Sequence, residues 1–479
     1  MCQGITVFFV HFIQPPKNGG FLFLKSLDKP PFLWYSAIGY IYRKNIFAKG
    51  KNGDFMHQFP IRAVIVGGGH RSDIYAELAL QKPEKLKIVG LVDPSPTRTR
   101  YLKEKYSIPE ENCFDSVETL CKREKLGDLI INGTMDQLHV PTAIPTLEKG
   151  YDLLLEKPLA ISKEEMDALC EVAKKNGRRV HLCHVLRYTD FYSKIKKMIL
   201  DGEIGRPISL AMSEHVAYAH MGVSFVRGKW RSQSACFAPM LLAKSCHDLD
   251  IMTWLMEPYR PVAVSSFGSN LQFTKEIKPE GATHRCYGGC PHIDSCPYSA
   301  KSNYVEHDFW SMYAFHAAEG QQYSDEEKEK SLKGDNPFGI CAWDYDRENN
   351  VDHQTVNVSF EGGATATFSM VGGAARAQRS LHLVGTLGEI IGVFEDNRIT
   401  LRKIAPHHEK WFEETVIEAI STSGGSHAGG DMALIESFVD ILGGKEPDFR
   451  SCDLDSASDA YRVAFAAEVS KNEGRTVLL

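Results

Sequence analysis

The chain has 479 residues, 43% hydrophobic and 24% charged, the balance of an ordinary globular protein with two or three domains. Its 55 basic and 61 acidic residues leave a net charge of −6, so no general basic surface serves nucleic acid or a membrane. No apolar run reaches the ~18 residues a membrane helix needs. The 12 cysteines are scattered apart from one cluster, which suits a reducing, cytoplasmic setting better than a disulfide framework.

Residues 1–55 differ in texture from the rest of the chain. Short apolar bursts (Val7–Val10, Phe21–Leu24) are broken by Pro15-Pro16, Gly19-Gly20 and Pro30-Pro31, with no signal-peptide pattern. The segment is either an arm packed on the next domain or upstream sequence preceding a true start at Met56. The second reading is preferred because the segment has neither helix nor strand periodicity. No function is placed there.

From Ile61 to about Cys183 strands and helices alternate. Ile61–Val66 reads as a buried strand ending in Gly67-Gly68-Gly69, followed by a helix over Ser72–Leu80 and a strand over Lys87–Asp93. Strand-like runs at Leu129–Asn132, Tyr151–Glu156 and Arg179–Cys183 are separated by helical segments at Val117–Glu124, His139–Lys149 and Lys163–Lys175. This alternation predicts an α/β domain, a doubly wound parallel sheet over residues 56–185. Residues 186–479 read as a second, α+β domain with a large, mainly antiparallel open sheet. Its expected strands are Ile208–Val216, Val262–Ser269, Thr355–Glu361, Ala364–Val371, Arg379–Gly385, Glu389–Phe394 and Arg398–Arg402. Helices are expected at Leu242–Trp254, Asp431–Leu442 and Asp455–Asn472, and an insertion at about 270–345.

Gly67, Gly69 and Ser72 occupy the three positions of a G-x-G-x-x-G turn between a strand and a helix. Such a turn brings backbone N–H groups to a pyrophosphate at the helix N-terminus. Ser72 in the third place is expected to loosen the helix against the strand slightly. Asp93 ends the second strand, where a carboxylate binds both ribose hydroxyls and repels a 2′-phosphate, favouring NAD over NADP. Glu156-Lys157-Pro158 ends the fifth strand. A lysine there faces the ligand crevice and can hold a hydroxyl or carbonyl oxygen and move its proton, although an ordinary exposed Glu-Lys pair would look the same.

Gly67-Gly68-Gly69, Asp93-Pro94, Asn132-Gly133-Thr134 with His139, Glu156-Lys157-Pro158, Arg187-Tyr188, Gly202-Glu203-Ile204-Gly205 and Cys246-His247-Asp248-Leu249-Asp250 occur in that order. Together they resemble the glucose–fructose oxidoreductase/inositol dehydrogenase/MocA (Gfo/Idh/MocA) family from about Ile61 to Leu479. The resemblance implies a Rossmann domain, a second domain whose open sheet mediates dimers or tetramers, and hydride transfer between nicotinamide and a sugar or polyol. By the same resemblance Lys157 and His247 match the catalytic lysine and histidine, and Asp136 and His139 the loop bordering the nicotinamide. Thr134, Glu156, Lys157 and Arg187, with His70 and Arg71 of the turn, complete the candidate cofactor set.

Many members carry an Asp four residues before the histidine, where this chain has Ala243. Lys244 is expected one helical turn before His247, on the same face. An ammonium only donates, so Lys244 cannot orient the imidazole, but its charge should lower the histidine's pKa. Lys244 is therefore read as a substrate contact, and Asp248 or Asp250 as candidates to hold His247. His220, Arg227, Trp230 and Arg231 form a basic, aromatic stretch expected to contact substrate, with an anionic or heavily hydroxylated ligand weighed against a plain solvated loop.

Cys286, Cys290 and Cys296 form a C-x3-C-x5-C cluster, and Cys341 lies further along the chain. A closed four-thiolate zinc site would pin the insertion without doing chemistry. An iron–sulfur cluster and free or disulfide-bonded thiols are the alternatives, and His284 or His292 could replace the fourth ligand. Three functions are open: an NAD-dependent sugar, glycoside or cyclitol dehydrogenase, a redox-neutral glycosidase using transient oxidation and elimination, or a non-catalytic nucleotide-binding sensor. The first is preferred.

Overall fold

The structure is a computed structural model that describes residues 56–315, 323–347, 349–419 and 426–479. The readings made for residues 1–55 lie outside the described residues.

Strands β1 (Ile61–Val66), β2 (Leu86–Val92), β3 (Cys113–Phe114), β4 (Leu129–Asn132), β5 (Asp152–Leu155) and β6 (Val180–Leu182) form one sheet in the order β3-β2-β1-β4-β5-β6. Every pair is parallel. Each residue of β4, β5 and β6 is buried, because helices cover both faces of the sheet. Serines 95, 116 and 162 cap three of those helices by accepting the backbone N–H of Arg98, Thr119 and Glu165. The strand order reverses between β1 and β4. The crevice at that point is bordered by Gly67, Thr134 and Lys157, each just beyond a strand's carboxyl end.

The second sheet has nine strands: β7 (Pro207–Ala217), β8 (Pro261–Ser269), β9 (His353–Phe360), β10 (Thr365–Ala374), β11 (Gln378–Gly385), β12 (Gly388–Val393), β13 (Arg398–Ile404), β14 (Phe412–Glu418) and β15 (Val477–Leu478). Their order is β14-β13-β12-β11-β7-β10-β9-β8-β15. The sheet is mixed, with β7 and β10 parallel and the remaining pairs antiparallel. Alternate residues of β9 and β10 are buried, so one face packs inward and the other meets solvent. Helices Cys246–Leu255 and Leu454–Glu473 cover the buried face.

The helix expected over Leu242–Trp254 is broken. Met240–Ala243 and Cys246–Leu255 are separate helices, with Lys244 at φ −123°, ψ −61° between them. The cause lies on β7: buried Glu214 takes the Lys244 ammonium at 3.0 Å and the Ser245 hydroxyl at 3.3 Å. Lys244 and His247 therefore do not share one continuous helical face. The segment between β8 and β9 builds a small core of its own around Cys286, Ala300, Tyr304, Leu332 and Phe338. Among the described residues no helix is long and apolar enough to cross a membrane.

Candidate active site

Gly67 sits at φ +80°, and a Cβ there would lie 2.8 Å from the Thr134 nitrogen, so glycine alone fits. Gly69 differs. A Cβ there would meet nothing nearer than 4.0 Å, so no protein atom demands glycine and the open space in front of the turn suits a close-approaching pyrophosphate. Ser72, expected to loosen the turn, instead closes it: its hydroxyl donates to the Gly67 carbonyl at 2.6 Å, and Gly133 leaves room for it. His70 is exposed at the start of the helix. Asp93 accepts the Gly68 N–H at 2.7 Å and is paired with the Arg98 guanidinium at 3.0 Å. The donors and the carboxylate of this cradle fit a dinucleotide.

Lys157 projects from the end of β5 and donates to the Ala243 carbonyl at 2.8 Å, with its ammonium 5.8 Å from the centre of the Trp230 ring. The preceding carboxylate, Glu156, receives Arg71 at 2.7 Å and the Tyr75 hydroxyl at 2.8 Å. Arg71 also pairs with Asp431, so this guanidinium is tied into the protein. His247 is 5% exposed, and its Nδ1 has no hydrogen-bond partner. Burial pushes its pKa well below the ordinary value, assisted by Lys157, His184, His427 and, last, Lys244. The imidazole is a neutral base at physiological pH.

Neither aspartate candidate holds that histidine. Asp248 accepts from Arg379 at 2.9 Å, and Asp250 is clasped by both ends of Arg187 at 2.8 and 2.6 Å. Asp248 and Glu214 share Arg379; burial pushes the Asp248 carboxyl well above the usual carboxylate range, opposed by Arg379 and assisted by the Glu214 charge. The family resemblance places Arg187 at the cofactor, but the residue lies fully buried. Its remaining N–H groups go to Ser451 and Ser456, so it binds the Rossmann domain to the helix carrying His247 instead.

The other expected residues divide. Asp136 accepts the Trp230 indole N–H at 2.9 Å, which joins the nicotinamide-side loop to the second domain. His139 is 1% exposed, its ring between the carbonyls of Pro158 and Thr134, so it shapes the loop from beneath. His220 stacks on Trp310 at 4.4 Å; burial, then Lys244, lowers its pKa to about 3. Arg231 bonds the Gly228 carbonyl, and Lys244 is spent on Glu214. Arg227 is not a substrate contact. It is 2% exposed and engaged by the carbonyls of Ile340 and Tyr298, the Tyr304 hydroxyl and the Cys286 sulfur, so it anchors the insertion.

Sequence reasoning missed several residues that the fold brings here. Trp310 and Tyr313, stacked at 6.0 Å, come from the insertion, and Tyr313 feels the charges of Lys157 and Arg71. Glu214 and Arg379 come from β7 and β11, and His427 lies 6.0 Å from His247 between ring centres. A groove of about 960 Å³ lined by Ser162, Phe237, Arg462 and Leu479 contains none of these residues.

Cys286, Cys290, Cys296 and Cys341 line one small cavity with Arg227 and His292. All eleven described cysteines are free thiols, which removes the disulfide alternative among them. The Tyr298 N–H donates to the Cys296 sulfur at 3.4 Å and the Ala300 N–H to that of Cys286 at 3.5 Å. His284 instead pairs with Asp344, and His292 with the Glu280 carbonyl. The donor set fits a soft metal in kind. Its sulfurs are spread, for among the described residues the group of potential ligands whose donor atoms all lie within 4.8 Å is His184, Asp250 and Cys452. Arg187 occupies that Asp250.

A dinucleotide-type Rossmann domain that carries Lys157 at the end of β5, and a second domain that carries His247, are the architecture of a nicotinamide-linked oxidoreductase. Residues 61–184 match the oxidoreductase family's NAD-binding Rossmann fold, and residues 196–479 its C-terminal alpha/beta domain. The chain belongs to the Gfo/Idh/MocA oxidoreductase family. It is 25% identical over 396 residues to the oxidoreductase YteT of Bacillus subtilis, covering 79% of this chain and 87% of that one. Inositol 2-dehydrogenase of Salmonella typhimurium is 25% identical over 206 residues, 43% of this chain and 57% of its own. A 2,7-anhydro-N-acetylneuraminate hydratase of Mediterraneibacter gnavus is 27% identical over 217 residues, 43% and 52% of the two chains. An Agrobacterium radiobacter oxidoreductase solved with NAD+, L-tartaric acid and magnesium shares the fold, with a TM-score of 0.60, 13% identity and coverage of 88% and 98%.

Proposed function

We propose that the protein is an NAD-dependent dehydrogenase that moves hydride between a hydroxyl-bearing carbon of a sugar, glycoside or cyclitol and nicotinamide. The observation that supports this reading is an ammonium, Lys157, held at the Ala243 carbonyl beyond the end of β5, with an imidazole, His247, kept neutral by burial and within reach of its charge. Lys157 would hold the substrate oxygen, and His247 would accept its proton as the C–H hydride departs. NAD, when bound, supplies the hydride acceptor. Trp310, 43% exposed with one face on His220, and Trp230 beside Lys157 are aromatic rings of the kind that stack on a sugar. NAD is preferred over NADP because Asp93 stands at the ribose end of the turn, and inositol dehydrogenases among the relatives support a polyol substrate.

A second reading, redox-neutral bond cleavage through transient oxidation, is favoured by the hydratase relative and by the missing carboxylate at Ala243. The test is a panel of inositols, free sugars and glycosides with NAD, reading NADH and released product together. NADH accumulating with one class supports the dehydrogenase. Product released with NAD required but no NADH accumulating transfers the assignment to the second reading. We further propose that zinc on the four cysteines braces the insertion, and that copies of the chain pair through the open face of the nine-stranded sheet, where Ile208 and Phe267 are exposed. A cytoplasmic location accords with the free thiols.

A further inference from the structure

We propose that His427, oriented by Asp431, is a second proton-transfer residue of this site and takes the part that a carboxylate partner would otherwise give to His247. The proposal rests on the oxidoreductase reading. His247 is buried, its Nδ1 has no partner, position 243 is alanine, and Asp248 and Asp250 belong to Arg379 and Arg187. A proton taken up by His247 therefore needs a route outward. His427 supplies one. Its ring centre is 6.0 Å from that of His247, within reach through one hydroxyl or water, and its side chain is 37% exposed.

The carboxylate–imidazole pair that is missing at His247 is present here: His427 Nδ1 and Asp431 Oδ2 are 3.0 Å apart, and Asp431 is itself held by Arg71 of the cofactor turn. His427 and Ala428 both adopt left-handed backbone, at φ +50° and +51°, immediately before helix Gly430–Leu442. L-residues avoid that conformation, and the chain adopts it where the His427 ring comes to 6.0 Å from that of His247. Among the described residues, the charged and titratable groups that act on His427 include Asp431, Arg71, Lys244 and His247, and Lys157 and His184 act on His247.

In the oxidation direction the hydroxyl O–H bond breaks and its proton goes to His247. The C–H bond breaks, its hydrogen would depart with the electron pair to the nicotinamide when NAD is bound, and the electrons of the broken O–H bond form the carbonyl. The proton then passes from His247 to His427 and on to solvent, and reduction retraces these steps. Asp431 acts through His427 and is a positioning residue.

The experiment compares full-length wild type, His427→Asn, His427→Gln and Asp431→Asn for kcat, KM and pH profile, with and without added imidazole. NADH binding by fluorescence serves as the check on folding. Expected is a fall in kcat of about ten- to a hundredfold in both His427 variants, partial rescue by imidazole, and little change in KM for NAD. Burial holds the His427 pKa below its ordinary value and Asp431 offsets part of that lowering, so Asp431→Asn should lower it further and shift the acid limb of kcat to lower pH. Wild-type kcat and pH profile in either folded His427 variant, or a loss confined to KM, would overturn the proposal. Should wild type catalyse neither NADH formation nor product release, the oxidoreductase reading itself fails, an outcome separate from a negative result with the variants.

Discussion

The ammonium of Lys157 and the carbonyl oxygen of Ala243 are 2.8 Å apart, so the end of β5 in one domain is hydrogen-bonded to the residue four before His247 in the other. That bond spans the cleft in which hydride transfer is proposed. A substrate hydroxyl entering there would exchange one acceptor of Lys157 for another.

Removing either partner should expose the chemistry. Lys157→Met and His247→Asn are each expected to lower kcat by about 10²–10⁴, while NADH binding stays within a few-fold of wild type. Steady-state kinetics with parallel fluorescence titration checks both halves. Equal losses in binding and turnover would reassign Lys157 to holding the cofactor.

Histidines whose pKa burial depresses, His220 among them, contribute to the acid limit of the fold. Burial lowers His181 to about 3 and His184 to about 4, and takes His247 well below its ordinary value. The unfolded chain binds protons at these positions from near pH 6.5 downward and the folded chain does not, so folding stability is full above that pH and falls as pH drops toward 4. Denaturant melts at several pH values check the sign. His184→Asn should flatten the slope by up to one proton.

Arg187 and Asp250 form a bidentate pair with both side chains at most 1% exposed. Arg187→Ala leaves an uncompensated buried carboxylate and should cost about 3–5 kcal/mol. Thermal or denaturant unfolding measures it. A loss of NAD affinity without a loss of stability would return Arg187 to the cofactor.

At the ribose end, Asp93→Ala should raise KM for NAD about tenfold or more, since hydrogen bonds to a charged acceptor are lost. It would also release Arg98, now paired at 3.0 Å, toward a 2′-phosphate, so the NADP/NAD ratio of kcat/KM should rise. Arg98→Ala in the same background should cancel that gain.

The four-cysteine pocket makes a compositional prediction. Protein purified without chelator should carry about one zinc per chain, and Cys286→Ser with Cys341→Ser should abolish it and loosen the insertion in limited proteolysis. Substoichiometric zinc, below about a third per chain, would leave Arg227 and the surrounding aromatic side chains as the brace.

The glycine turn, Asp93 and Glu156-Lys157-Pro158 were legible because each lies at a strand end, where local periodicity and a few residues fix the geometry. The all-buried strands β4 to β6 and the alternating β9 and β10 were readable for the same reason. What was hidden depended on contacts distant in sequence. The break at Lys244 is made by Glu214 on β7, thirty residues earlier, and a helical pattern carries no trace of it. Arg187 and Arg227 look like ligand-binding arginines in sequence, yet each is consumed by a buried partner that only the fold brings near. His427 lies 180 residues from His247, and its pairing with Asp431 gives no sequence signal beyond helical spacing.

Hydride transfer beside Lys157 and His247 is tested most directly by a single turnover of full-length enzyme with stoichiometric NAD and a substrate deuterated at the reacting carbon. One equivalent of deuterium in the reduced nicotinamide and a primary isotope effect on its formation are expected, both lost in Lys157→Met. Deuterium found in water, or product formed with no label in the cofactor, would contradict hydride transfer at this site.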